Sequence, residues 1–192
     1  MAEEIEAKIL DIDVAALEKK LANVGAAKVG DFLYRNRNFD FPGWPLKTRH
    51  AWVRLRTDGT KTTLAYKQRL GASDTPGNDQ GMEEVEFDVG SFDAVDAFLR
   101  KIGMVEKFTQ EKKRTSWKRG DMTFDIDTWP RIPPLLEVEG PSWDAVEHAI
   151  RELGYDPAQK KICSATQVYR IYGIEDHDYI RITFDEFIPR TG

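Results

Sequence analysis

Residues 52–56 read Trp52-Val53-Arg54-Leu55-Arg56, two like charges separated by one apolar residue, and the chain repeats that arrangement with either sign. In a β-strand residues i and i+2 face the same side, so Arg54 and Arg56 share one face and Val53 and Leu55 the other. Glu4, Glu6 and Lys8 alternate in the same way with Ile5 and Ala7. So do Glu84 with Glu86, Asp125 with Asp127, and Glu137 with Glu139, and Lys112 shares a face with Arg114 across Lys113. Lys67 joins them at the end of Leu64-Ala65-Tyr66-Lys67. For any single pair a solvated sheet face is account enough. Across the whole set, neighbouring like charges repel unless something of opposite sign lies between them. The pattern therefore predicts an antiparallel sheet that closes on itself, with its ionic face inside and its apolar face turned outward under helices.

Working outward, strand character runs through Glu4–Ile9, Leu33–Phe41, Ala51–Thr57, Thr62–Lys67, Glu83–Val89, Gln110–Lys118, Met122–Trp129 and Leu135–Glu139. Asp58-Gly59 between two of these is a hairpin signal. Residues 71–81, rich in Gly, Ser, Asp and Asn, read as a flexible loop, and Pro42, Pro45, Pro130, Pro133 and Pro134 mark two further turns. Three amphipathic helices begin at Asp13, Ser91 and Ser142 and stop at Gly25, Gly103 and Gly154. Asp and Ser are good N-caps, and a Gly just past the last turn permits the left-handed cap. Each helix follows a Glu-x-Glu strand, which is either an old duplication or three uses of one convenient unit. The expected class is α+β: an eight-stranded antiparallel β-barrel with helices outside. One domain is expected over residues 1–175, followed by a tail, 176–192, in which Tyr179–Phe184 looks like an extra strand.

The 192 residues suffice for a real core without staples, and they carry a net charge of −5 and a single cysteine, Cys163. A lone cysteine excludes a disulfide framework and a thiolate zinc site and fits a reducing, cytoplasmic setting. No apolar run approaches the roughly 20 residues needed to span a bilayer. Met1 to Lys8 lacks the apolar region of a secretory signal. The acidic balance argues against nucleic acid as a partner. It leaves room for a basic pocket inside an acidic protein.

Carboxylate clusters without His or Cys suit a hard divalent cation such as Mg²⁺ or Mn²⁺. Arg and Lys converging from several strands suit phosphate oxygens. A metal chelated to a polyphosphate satisfies both sets at once.

In this order the residues resemble the CYTH superfamily, the triphosphate tunnel metalloenzymes that include class IV adenylate cyclase and thiamine triphosphatase. Glu4-Ile5-Glu6-Ala7-Lys8 matches the family's ExExK signature, followed by Arg54-Leu55-Arg56, Lys67, Glu84-Val85-Glu86, Lys112-Lys113-Arg114, Asp125-Ile126-Asp127 and Glu137-Val138-Glu139. The resemblance implies an eight-stranded tunnel. Lys8, Arg54, Arg56, Lys67 and Arg114 would hold phosphate oxygens. Glu4, Glu6, Asp125, Asp127, Glu137 and Glu139 would hold Mg²⁺ or Mn²⁺, with Glu84 and Glu86 lining the wall or serving a second metal. Lys112, with Glu4 and Glu6, carries the catalytic assignment, and Arg37 is a further basic candidate. The chain departs from the family at Lys160-Lys161-Ile162-Cys163-Ser164, where a basic residue followed by Ser-Tyr is usual.

The implied activity is metal-dependent hydrolysis of inorganic tripolyphosphate or a small organic triphosphate, such as thiamine triphosphate or a nucleoside triphosphate. The alternatives are an adenylate cyclase releasing pyrophosphate from ATP and a non-catalytic polyphosphate-binding module. Cyclisation also requires a mouth that orients adenosine, and Trp52, Trp117, Trp129 and Tyr66 read more readily as core than as a base platform. Partners are then the small triphosphate alone, with no membrane, and a homodimer is left open.

Overall fold

The computed structural model describes residues 5–70 and 82–190. Glu4 and the 71–81 loop lie outside the described residues. The elements begin with β1 (Ile5–Ile9), α1 (Val14–Asn23), β2 (Ala27–Asp40), β3 (Ala51–Thr57), β4 (Thr62–Arg69) and β5 (Met82–Val89). They continue with α2 (Phe92–Lys101), β6 (Val105–Arg119), β7 (Met122–Thr128), β8 (Leu135–Gly140), α3 (Trp143–Glu152), α4 (Ala165–Ile171), β9 (Tyr179–Ile182) and β10 (Phe187–Pro189). The chain divides into two compact units, Met1–Phe32 with Lys112–His177 and Leu33–Glu111 with Asp178–Gly192, so β2 and β6 each supply residues to both.

In the first unit β1, β8, β7 and the second half of β6 form an antiparallel ladder in that order. The register sets Ala7 opposite Val138, Val138 opposite Phe124, and Phe124 opposite Trp117. That row is the apolar face, and it packs with Leu17 and Leu21 of α1 and Val146, Ala149 and Ile150 of α3 into one buried cluster. Both helices start as their caps dictate. Asp13 accepts from the Ala16 N–H, and Ser142 accepts from the Ala145 N–H. At the end of α3, Gly154 takes a left-handed φ of 75° so that the Tyr155 N–H can reach the Ile150 carbonyl, a turn strained for any residue with a Cβ.

In the second unit the ladder runs β2, β3, β4, β5, again antiparallel. Phe39, Ala51 and Leu55 pack with Phe92 and Leu99 of α2 into a second buried cluster. The hairpin announced by Asp58-Gly59 joins β3 to β4. Asp58 Oδ1 accepts from the Thr60 and Lys61 N–H groups, and Gly59 has a φ of 96°. β9 pairs parallel with β6 through Thr109–Arg181 and Gln110–Ile182, and antiparallel with β10.

The antiparallel α+β class expected from the sequence is the class observed, with a fourth helix. Within each unit the described pairings form an open ladder, since four strands are too few to close a ring by themselves. α4 went unread because its seven residues make barely two turns, too short for a helical period to show; its start is fixed by a capping box between Ser164 and Gln167.

Because Leu17 is fully buried between sheet and helix, Leu17→Ala is expected to lower the unfolding free energy by about 2–5 kcal/mol. Urea denaturation followed by circular dichroism would read this, and a loss below about 1 kcal/mol would mean that the cluster is not close-packed.

Candidate functional site

The strand registers that bury one face of each ladder place the charges on the other. In the first unit, Lys8 stands opposite Glu137, Glu137 opposite Asp125, and Asp125 opposite Ser116, while Asp127 stands opposite Arg114. The residues are largely withdrawn from water: Asp127 is 0% exposed, Lys8 5%, Lys112 7% and Asp125 8%. Charges removed from water this far are tolerated only when paired.

Arg114 is the centre of the pairing. Its Nη1 lies 2.5 Å from Asp125 Oδ2, its Nε donates to Asp127 Oδ1 at 2.6 Å, and its Nη2 donates to Asp127 Oδ2 at 2.6 Å and also to Glu137. Lys112 donates to Asp127 Oδ2 at 2.7 Å and lies 5.1 Å from the centre of the Trp129 ring. Trp129 in turn packs edge-on against Tyr169 of α4 at 6.1 Å. Lys8 reaches Glu6 at 2.5 Å and Glu137 at 3.3 Å. Ser116 donates to Asp125 Oδ1 at 2.5 Å.

These contacts shift the titrations. Burial alone would raise the Asp127 carboxyl, but the bonds from Arg114 and the charge of Lys112 hold it below its ordinary value. Burial pushes the Lys112 amine down, and the adjacent Arg114 charge adds to that, against the pull of Asp127. Burial opposes the Lys8 ammonium too, yet Glu137 and Glu6 outweigh it and keep it above the ordinary lysine value. Opposite burial, Asp127 and Glu137 hold the Arg114 guanidinium well above its usual range.

The second unit carries the other half of the sequence pattern. Arg54 Nη2 donates to Glu84 at 3.1 Å and Glu86 at 2.9 Å, and Lys67 lies 3.0 Å from Glu84. Arg54 Nε is buried without a hydrogen-bond partner among the described residues. The Arg56 guanidinium lies 4.3 Å from the centre of the Tyr34 ring. Tyr34, Arg56, Asp58, Lys61, Thr63 and Glu86 line an open hollow of about 180 Å³.

Of the expected residues, the first unit assembles Glu6, Lys8, Lys112, Arg114, Asp125, Asp127 and Glu137 into one ionic network, with Glu139 opposite Glu6 on the neighbouring strand. The second assembles Arg54, Lys67, Glu84 and Glu86, with Arg56 on the same strand face. Glu4 lies outside the described residues. Arg37 belongs to a different cluster: it reaches Asp96 of α2 at 2.6 Å, Glu106 at 3.7 Å and Thr109 at 3.2 Å. Lys160 pairs with Glu147 of α3 at 2.9 Å, and Lys161 bridges its backbone to that of Lys8. Trp117 and Trp129 are buried as expected, and Tyr66 packs on the second core. Tyr34, Ser116 and Trp129 are the site neighbours that sequence reasoning passed over as partners. For Ser116 and Trp129, each two residues along the chain from a named charge, that spacing was the available signal.

The acidic members are all carboxylates, the donor set of a hard divalent ion. Glu6 and Glu139 stand directly opposite each other, a like-charge pair that a cation between them would relieve. Among the described residues no three carboxylate, His or Cys side chains are gathered around a point where a metal would sit. Asp125, Asp127 and Glu137 meet instead on Arg114. The donors therefore fit the ion in chemistry, and their present partner is a guanidinium.

The strands thus alternate ionic and apolar residues, with carboxylates and guanidinium groups held together on one face. The CYTH domain matches residues 2–181, and the chain belongs to the CYTH family. Among solved structures it is similar to the PH1012 protein of Pyrococcus horikoshii OT3, with 19% identity and a TM-score of 0.62 over 86% of this chain and 98% of that one. A Vibrio parahaemolyticus protein described as an adenylate cyclase candidate aligns with 12% identity and a TM-score of 0.65 over 87% of this chain and 97% of that one. An adenylyl cyclase candidate from Hippeastrum, described as having a dominant triphosphatase activity, aligns with 16% identity and a TM-score of 0.60 over 88% and 96%. These likenesses establish the shared fold. Among curated protein sequences no match is found. Among the described residues no helix is long and apolar enough to cross a membrane.

The Arg37 cluster gives a pH prediction. Burial works against the Asp96 and Glu106 carboxylates, but hydrogen bonds from Arg100, Arg37, Thr109 and Arg181 hold both below their ordinary values of 3.8 and 4.5. Their contribution to stability is therefore fully present above 4.5 and is lost as pH falls through the lower folded-state values. Arg37→Gln is expected to cost about 1–2 kcal/mol at neutral pH and progressively less toward pH 3. Urea titrations across that range would read it, and a difference that did not change with pH would show that Arg37 acts through packing.

Proposed function

We propose that the protein is a metal-dependent triphosphatase, acting on inorganic tripolyphosphate or a small organic triphosphate. The observation that carries this reading is the cationic row on β3 and β4. Arg54, Arg56 and Lys67 share one face, and Arg54 keeps a buried Nε–H that no described acceptor of the protein meets. A buried donor of this kind calls for an acceptor from elsewhere, and phosphate oxygens supply several.

Arg54, Arg56 and Lys67 are assigned to phosphate oxygens, as are Lys8 and Arg114. Glu6, Glu137 and Glu139 are the first carboxylates to hold the ion, with Glu4, Asp125 and Asp127 completing the assigned set. A Mg²⁺ or Mn²⁺ ion held there would supply charge neutralisation at the phosphoryl oxygens. Lys112, fixed by Asp127 on one side and the Trp129 ring on the other, is assigned to orient the attacking water. Hydrolysis requires nothing beyond these groups. Cyclisation would add the need to fix an adenosine, and no residue is assigned that task.

Purified protein with Mg²⁺ or Mn²⁺ would be offered tripolyphosphate, ATP and thiamine triphosphate separately, with products resolved by phosphorus NMR. Orthophosphate release is expected. Cyclic AMP with pyrophosphate would replace this reading with the cyclase, and no turnover of any would replace it with a binding module. In the active enzyme, Arg56→Ala is expected to raise KM for tripolyphosphate about tenfold or more, the scale of one lost charge-assisted hydrogen bond. Its effect on orthophosphate inhibition should be far smaller; equal losses for both ligands would remove Arg56 from the polyphosphate clamp.

A further inference from the structure

We propose that Arg114 is a built-in competitor for the divalent ion: it holds Asp125, Asp127 and Glu137 until the ion arrives, and is then released to bind a phosphate oxygen. The inference rests on the metal-dependent reading above and adds an order of events to it.

The geometry makes the competition direct. Nε, Nη1 and Nη2 of Arg114 are all engaged by carboxylate oxygens, on Asp125, Asp127 and Glu137. A guanidinium has five N–H donors and no acceptor, so one surrounded in this way has little left to offer a phosphate. A hard dication binds the same oxygens as direct ligands, and at close range its double charge repels the guanidinium. Both cannot hold the same carboxylates in the same way.

The neighbouring lysines make the exchange tolerable. When a buried pair is broken, the stranded partner is what destabilises the protein. Here Asp127 keeps Lys112 at 2.7 Å and Glu137 keeps Lys8 at 3.3 Å, so neither carboxylate is left bare when Arg114 moves away. Asp125 keeps the Ser116 hydroxyl at 2.5 Å. The network also has room for added positive charge: four carboxylates, on Glu6, Asp125, Asp127 and Glu137, face three cations, on Lys8, Lys112 and Arg114. An ion that enters offsets that negative excess, to which Glu139 opposite Glu6 adds, and frees a guanidinium at the same moment, and both changes favour an anion. Ion and triphosphate should therefore each strengthen the binding of the other, and by thermodynamic linkage to the same degree.

The test uses the whole chain without substrate. In the wild-type protein, the Arg114 Nε–H resonance, assigned by its loss in Arg114→Lys, would be followed by proton–nitrogen NMR during Mg²⁺ titration, with calorimetry reporting ion binding in parallel. The expected result is that the resonance shifts and its exchange with water accelerates along the binding curve. Arg114→Gln is expected to bind Mn²⁺ at least tenfold more tightly than wild type, read by the electron paramagnetic resonance of free Mn²⁺. If that variant fails to fold, the wild-type titration decides alone. Saturable Mg²⁺ binding with the Arg114 resonance unmoved would overturn this inference and leave the metal-dependent reading standing, as would equal or weaker Mn²⁺ binding by a folded Arg114→Gln. No ion binding to the wild-type protein would overturn both.

Discussion

Everything in the first unit depends on keeping Asp127 ionised at a position with no access to water. A carboxylate in that setting loses its hydration, and the protein returns it through two bonds from Arg114 and one from Lys112. That requirement fixes the identities of its neighbours in turn. Lys112 and Arg114 must alternate on β6, Asp127 must face them from β7, and Ile126 between the two carboxylates of β7 must point the other way, into the cluster with α1 and α3. The helices then bury Leu17, Leu21 and Ile150 against the side of the sheet that carries no charge. Core and ionic face are two sides of one pairing pattern.

The two units solve the same problem with different balances. In the first, carboxylates outnumber the cations that touch them, and the guanidinium at their centre is fully occupied. In the second, the acidic partners Glu84 and Glu86 sit on exposed β5, so their hold on Arg54 and Lys67 is screened by solvent. The Arg56 guanidinium lies over the Tyr34 ring, whose face steadies a cation. One charged face is therefore closed on itself, and the other holds its ion pairs nearer to solvent.

Most of this was legible in the sequence because strand alternation is a short-range code. Ala51–Thr57 was read with its observed bounds, and the pairs 54/56, 84/86, 125/127 and 137/139 each proved to share a face. The caps at Asp13, Ser91 and Ser142 did what Ser and Asp do at helix starts. What the sequence could not supply was which charge meets which. That Arg114 would gather three carboxylates from two other strands, or that Arg37 would turn to α2 and Glu106, depends on register and helix placement, which are long-range properties. β2 and β6 ran well beyond their expected ends, because Ala27, Lys28 and Val105–Thr109 carry little alternation of their own and are held as strand by neighbours.

The alternation also decides how such a chain can vary over evolutionary time. Point substitutions on the ionic face change one contact at a time. Loss or gain of one residue within β7 would exchange Asp125 and Asp127 for Phe124 and Ile126, sending carboxylates into the packing of α1 and α3 and hydrocarbon onto the charged face. Length changes are therefore confined to the connections, such as the proline-marked turn between β7 and β8, and the spacing of charges within each strand becomes the chain's most durable inheritance.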